Sequence, residues 1–327
     1  MDLTSGRSSS ALLVVLLLCP AARAFQQNGP LLPVLPRVRN AGAGLPPADL
    51  RVDVPLVLIP VHVTNAFGVS VTGLKRENFH ILEDGVEQKI ASFAMEDAPI
   101  SVGFVFDDSG SMYHKIRKAA EAASAFFQTS DPRDEFFLIE FNDRARLAVP
   151  FTTDCGVIYK RIARAKPIGR TSLLDAVHLA LLQMRKAGNS RKAIVILSDG
   201  GDNRSRYTEG EIKKAVREAD VQIYAMGVFD LDGSRKLTPE ELHGPRLLDD
   251  LAVQTGGREF TVKNLDDLPG VCARIGNELR NRYVLGYLPA NTVRDGTYRH
   301  IKVELAAPVG VPPLNVYNRQ GYYALAE

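Results

Sequence analysis

Between Pro99 and Arg282, six short apolar runs alternate with amphipathic stretches of about ten residues or more, a rhythm that leaves few folds open. The runs are "SVGFVF", "EFFLIEF", "ARLAVPF", "KAIVILS", "VQIYAMGVF" and "REFTV". Helical spacing of apolar residues fills Lys115–Gln128, Val157–Ala165, Leu173–Lys186, Glu209–Ala219, Arg246–Thr255 and Asp266–Arg280. A strand followed by a helix reaches its neighbour only by a crossover, so most of these strands are parallel and covered on both faces. "KAIVILS" is apolar along nearly its whole length, as a central parallel strand must be. The link at Asn142-Asp143 is too short for a crossover, so that pair forms a hairpin and one member is an antiparallel edge. The expected core is a doubly wound, mostly parallel six-stranded α/β sheet.

The flanks follow a different period. "VPLVLIPVHVT" is β-branched, and "NFHILEDGVEQKIASF" alternates on both sides of Asp84-Gly85, a strong signal for a two-residue hairpin. About four strands fit between Val52 and Asp97. After Arg282, "YVLGYLP", "YRHIKVEL" and "VYNRQGYYAL" are strand-like, with Asp295-Gly296 between the first two. Neither flank buries enough apolar surface alone. The simplest arrangement joins residues 51–98 and 282–327 in one small β-sandwich, with residues 99–281 inserted as the α/β domain.

Ahead of this lies an export signal at residues 1–24: Arg7, then the apolar "ALLVVLLLC", then the small-x-small site Ala22-Arg23-Ala24. The apolar run is too short to span a bilayer, as is every later one. Leu18, standing before Cys19, does not suit a lipoprotein signal. Residues 25–50 carry Pro30, Pro33, Pro36, Pro46 and Pro47 and little apolar periodicity, which reads as a linker. The mature chain is expected to be soluble, either periplasmic or secreted. A net charge of +2 with no basic run argues against nucleic acid or a polybasic membrane contact. Cys155 and Cys272 remain after cleavage; one disulfide is possible, but Cys272 falls in a helical pattern and reads more simply as core.

The polar residues that matter stand at strand ends. Asp107 closes "VGFVF", and Ser109 and Ser111 follow in a turn that Gly110 permits. Asp199 closes "KAIVILS", and Thr171 opens a helix after a loop containing Gly169. Ligands of open parallel sheets bind outside the carboxyl ends of the strands. Two carboxylates and three hydroxyls there make an all-oxygen donor set suited to Mg²⁺, or Mn²⁺ in its place. Two carboxylates neutralise a divalent ion, and the neutral hydroxyls leave it electrophilic enough to take an outside carboxylate.

Asp107-x-Ser109-x-Ser111, then Thr171, then Asp199, resembles the metal-ion-dependent adhesion site of von Willebrand factor A domains. The resemblance implies a sheet order of 3-2-1-4-5-6, with Asp107 and Asp199 on adjacent strands. It also implies direct coordination by Ser109 and Ser111, and coordination by Thr171 and the aspartates directly or through water. A protein partner's Asp or Glu would complete the shell. "TGGREF", "NRYVLGYLPA", "GTYRHIKVEL" and "VYNRQGYYA", with "VTGLKRENFHILEDGVEQKIASF", further resemble a secreted family of such proteins abundant in Acidobacteria. Asp108 departs from the usual apolar or small residue and adds negative charge near the site. Asp108, His114, Asp202 and Asn203 are candidates for its rim. Met112, Tyr113, His114 and Lys115 stand where relatives with a second metal site carry acids, so none is expected.

"DLDGSRKLTPEE" (Asp230 to Glu241) has the look of a calcium loop, but Arg235 stands where the turn needs Gly, and a solvated insertion explains it better. His178 lies within an amphipathic helix and reads as packed. No motif of a hydrolase, metalloprotease or nucleotide-binding enzyme is present, and no histidine is placed by motif to activate Ser109. The expectation is an exported, non-enzymatic binding protein that uses Mg²⁺ to capture an acidic side chain. The alternative is a structural scaffold of an envelope assembly, in which the metal only stabilises the fold.

Overall fold

The structure is a computed structural model and describes residues 56–199, 201–229, 238–306, 310 and 312–326. The export signal, the Pro-rich segment and residues 230–237 of the calcium-like loop lie outside them.

The first flank supplies β1 (Val57–Thr64), β2 (Phe79–Glu83), β3 (Val86–Gln88) and β4 (Ile90–Glu96). β2 and β3 join through Asp84 and Gly85 at φ 48° and 81°. Two consecutive left-handed residues are what a tight hairpin needs, and Asp and Gly tolerate them. The middle supplies β5 (Ile100–Asp107), α1 (Ile116–Phe127), β6 (Glu135–Phe141), β7 (Ala145–Thr152), α2 (Cys155–Ala163), α3 (Leu173–Met184) and β8 (Arg191–Ser198). It continues through α4 (Glu209–Glu218), β9 (Gln222–Val228), α5 (Pro239–Val253), β10 (Glu259–Val262) and α6 (Leu268–Arg280). The last flank gives β11 (Arg282–Tyr287), β12 (Tyr298–Leu305), β13 (Asn315–Asn318) and β14 (Gly321–Tyr323).

The central sheet has six strands in the order β10-β9-β8-β5-β6-β7, all parallel except the β6–β7 hairpin. Counted from β5, this is the 3-2-1-4-5-6 order, and the chain reverses direction across the sheet between β5 and β8. Strand side chains alternate between two cores. Val102, Phe104 and Phe106 face Ala119, Ala123, Ile162 and Leu279 of α1, α2 and α6. Val105, Ile194 and Ile196 face Val177, Val216 and Leu248 of α3, α4 and α5. Cys272 sits in the first core and Cys155 is partly exposed; both are free thiols, so the chain carries no bridge between them.

The flanking strands form two four-stranded antiparallel sheets, β13-β1-β11-β4 and β14-β12-β2-β3. Each mixes strands from both ends of the chain, and they share a core of Ile59, Val61, Phe79, Ile81, Tyr283, Leu285 and Val303. "VYNRQGYYAL", expected as one strand, is divided: β13 pairs with β1 and β14 pairs with β12. Arg319 and Gln320 take the chain from one sheet to the other. α5 begins at Pro239, well before the expected start at Arg246.

Candidate metal centre

β5 and β8 run parallel and adjacent, with Phe106 beside Leu197, so Asp107 follows level with Ser198 and Asp199 leaves β8 one residue further along the same carboxyl edge. Asp107 is fully buried. Its Oδ1 accepts the backbone N–H of Ser109 at 2.9 Å, and its Oδ2 accepts the hydroxyl of Ser198 at 2.5 Å. The first bond folds residues 107–109 into a tight turn and fixes the carboxylate against its own loop. Ser109 is buried, Ser111 is exposed, and their hydroxyls lie 3.1 Å apart.

Hydrogen bonds tie the other two loops to this turn. The amide of Gly110 donates to Gly169 O at 3.2 Å, and that of Ile168 donates to Asp108 O at 3.0 Å. Gly169, at φ 85°, supplies the left-handed turn that brings the loop back to Thr171. Thr171 is buried, and Asn203 clamps its backbone: Asn203 N–H donates to Thr171 O, and Thr171 N–H donates to Asn203 Oδ1, each at 3.1 Å. The loop after Asp199 is therefore joined to the loop before α3. All five expected residues sit on three mutually bonded loops at one end of the sheet.

The rim candidates fare differently. Asp202 accepts from Leu174 N–H at 2.8 Å and from the Ser205 hydroxyl at 2.6 Å, so it caps the first turn of α3. Asn203 serves the Thr171 backbone. His114 is exposed and meets the Tyr113 ring edge-on. Asp108, expected to add charge at the centre, turns toward Arg146, whose Nη2 lies 3.3 Å from its Oδ2. Arg146 and Arg161 both grip the buried carboxylate of Glu140, at 2.7 and 2.6 Å. This cluster of two guanidiniums and two carboxylates balances the Asp108 charge locally, although burial and Glu140 still raise its proton affinity. His178 packs its ring 4.1 Å from that of Tyr207, centroid to centroid.

Two residues of the centre carry no motif signal. Ser198 holds Asp107, and only the β5–β8 pairing makes that visible. Lys115, at 8% exposure, reaches under the site: Nζ donates to Val228 O at 3.0 Å and lies 3.8 Å from Asp199 Oδ2. A lysine so deeply buried needs a partner, and it finds one at the end of β9, far away in sequence.

The donor chemistry fits a hard divalent cation. Burial first, and the neighbouring charge of Asp199 second, push Asp107 up to about 7, outweighing its hydrogen bonds from Ser109 and Ser198. A buried carboxylate with a second one beside it is the arrangement a cation relieves. Among the described residues no three His, Cys, Asp or Glu side chains cluster for a metal, so any ion here depends on the hydroxyls. Glu241, the last residue of the calcium-like pattern, caps α5, with Thr238 N–H donating to its carboxylate at 2.8 Å.

Residues 102–201 match the family model of the von Willebrand factor type A domain. Among solved structures, a von Willebrand factor type A protein from Catenulispora acidiphila superposes with a TM-score of 0.48 at 15% identity, covering 82% of this chain and 62% of that one. The vWF domain of the type V pili tip protein Mfa5 from Porphyromonas gingivalis gives 0.46 at 13% identity, covering 56% and 95%. An aerotolerance-related membrane protein from Bacteroides fragilis gives 0.44 at 18% identity, covering 55% and 98%. Resemblances this distant say nothing of function. The match places a von Willebrand factor type A domain at residues 102–201, within the six-stranded sheet and its covering helices.

Proposed function

We propose that this protein is an exported, non-enzymatic adhesion module, in which Asp107, Ser109, Ser111, Thr171 and Asp199 hold Mg²⁺ or Mn²⁺ for a protein partner's Asp or Glu. The observation that carries this reading is the convergence of two carboxylates with hydroxyl-bearing turns on three mutually hydrogen-bonded loops at the switch point. When bound, the ion would supply a Lewis-acidic contact for an incoming carboxylate. The chain's own part is to hold the donors still: Ser198 and the Ser109 amide orient Asp107, and Asn203 fixes Thr171. Surrounding side chains support an acidic partner, since Lys166, Arg170, Arg204 and Arg206 lie on the loops around the centre. Exposed Tyr113 and Ile168 add apolar contact area beside them. Among the described residues no helix is long and apolar enough to cross a membrane, which is compatible with a periplasmic or secreted protein.

One observation favours a second reading. Lys115 already places a positive charge 3.8 Å from Asp199. A centre with its own cation needs no metal to persist, so the domain could serve as a scaffold that makes its contacts through the sandwich. Thermal unfolding in EDTA and then in Mg²⁺ or Mn²⁺ tests whether the centre takes up an ion at all, which this metal-free form of the scaffold reading does without. Saturation a hundredfold above the dissociation constant adds about 2.7 kcal/mol, roughly 5–10 °C for a domain of this size. That rise is expected in the wild type and absent in Asp107→Ala, whose fold persists. A metal-independent midpoint in both proteins would leave the scaffold reading.

A further inference from the structure

A cavity of about 200 Å³ opens at the amino-terminal ends of β8 and β9, at the opposite edge of the sheet from the metal centre, where the sandwich joins the α/β core. Its walls carry Arg191, Lys192, Arg217, Arg282 and Arg319 against only Glu96 and Asp220. The side chain of Arg191 is 1% exposed. Its Nη1 donates to Ala98 O at 2.6 Å and its Nη2 to Leu279 O, while Nε makes no hydrogen bond. The nearest charge to that Nε is Glu96 Oε2 at 3.4 Å. The same oxygen accepts from Arg282 Nε at 2.9 Å and from Arg282 Nη2 at 2.5 Å. One carboxylate thus serves two buried guanidiniums.

The outer wall does not restore the balance. Arg319 Nη1 lies 3.5 Å from Asp220, but that carboxylate is 88% exposed and largely spent on water. Arg217 Nε is buried and has no hydrogen-bond partner. The last turn of α4 adds a partial negative charge of about half a unit, too little against five cations and two anions. A guanidinium cannot shed its proton to escape burial. Burial, and then the like charge of Arg282, pull Arg191 down to about 10, outweighing the opposing pull of Glu96 and Asp97.

We infer that this cavity binds a small, multiply charged oxyanion of the phosphate or short dicarboxylate class. Arg191 and Arg282 form a fixed positive floor, and Arg217, Arg319 and Lys192 supply the grip. Guanidinium forks match paired oxygens, which a chloride ion does not offer. The volume suits a few heavy atoms, being smaller than the roughly 300–1,000 Å³ of sites for drug-sized ligands.

The test is titration calorimetry and thermal unfolding of the full chain in sodium phosphate or sodium succinate, against sodium chloride at equal ionic strength. Arg191→Gln is a poor probe, because it strands the carbonyls of Ala98 and Leu279. Arg217→Gln combined with Arg319→Gln alters the outer wall and leaves the floor in place. A saturable heat and midpoint rise with one of the two anions is expected. The double variant should weaken it by more than about tenfold, the loss of one or two ionised hydrogen bonds. Asp107→Ala should leave it unchanged, which separates this site from the metal centre. Absence of saturable binding by either anion overturns the inference. So does an equal rise in wild type and double variant, the pattern of general solvent exclusion by phosphate.

Discussion

Lys115 lies against Asp199, one of the carboxylates proposed to hold the metal, so under that proposal the ammonium and the ion would compete for it. The ammonium lies 3.8 Å from Asp199 Oδ2 in a buried setting, where even a screened interaction between unit charges amounts to a few kcal/mol. Replacing it by Met keeps most of the volume and removes the charge. In EDTA, Lys115→Met should unfold earlier than wild type, because Asp199 loses its counter-ion. Mg²⁺ or Mn²⁺ should then bind at least roughly tenfold more tightly, about 1.4 kcal/mol, and raise the midpoint further than in wild type. Equal metal affinity in the two proteins would show that Lys115 does not regulate the centre. The five residues proposed as donors carry a local signal in the sequence, because each stands at the end of an apolar run or before a helix. Lys115 and Ser198 carry none, since their roles exist only once β5 is paired with β8 and the end of β9 is brought under the loop. Asp108 looked like a neighbour of the centre because it follows Asp107, but adjacent residues at a strand end point to opposite sides.

Among the elements, β5 is the most tightly constrained. It is central, buried along its whole length, and carries Gly103 beneath the ring of Phe137 on β6. A Cβ on residue 103 would sit 2.2 Å from Phe137 Cζ, closer than any real contact. Gly103→Ala should therefore cost about 1–3 kcal/mol through overpacking, read from urea denaturation. Phe137→Leu in the same chain should recover part of that loss, a coupling that a double-mutant cycle would expose. If the two changes add independently, the ring is not the cause. The strand itself was plain from "SVGFVF", but no sequence signal says which neighbour fills the space over a glycine. Hairpins were equally plain, since Asp84-Gly85 needs nothing beyond its own torsions. The start of α5 was missed for a local reason. Thr238, Pro239 and Glu241 form a capping box with proline at the first turn, whereas in sequence "LTPEE" reads as the end of the calcium-like pattern; the helix then runs on through Pro245.

At the scale of the whole molecule, the sandwich and the α/β core are fastened by a buried polar cluster that acid should loosen. His62 on β1 is 1% exposed; its Nε2 pairs with Ser70 Oγ at 3.0 Å, and its Nδ1 makes no hydrogen bond. Glu278 on α6 approaches that nitrogen to 3.5 Å, which alone would favour a charged ring. Its carboxylate is already engaged by Arg258, whose Nε donates to it at 3.2 Å and whose Nη1 reaches the Tyr317 hydroxyl at 3.1 Å. Burial first, and the Arg258 charge second, pull His62 down to about 3 from an ordinary 6.5. The unfolded chain therefore takes up a proton below about pH 6.5, while the folded protein stays neutral until about pH 3. Stability from this residue is fully present above the unfolded value and is lost as the pH falls through that window, at up to about 1.4 kcal/mol per unit. Asp107, with its proton affinity raised, acts in the opposite sense over part of the same range, so the informative quantity is a difference. Between pH 7.5 and pH 5, wild type should lose about 2 kcal/mol more than His62→Gln, which keeps a polar group for Ser70 and cannot take up a proton. Urea midpoints of the two proteins at pH 7.5, 6 and 5 give that difference directly. Parallel profiles would mean that His62 is charged in the folded state and paired to Glu278, and that the junction is an ion pair rather than a neutral seal.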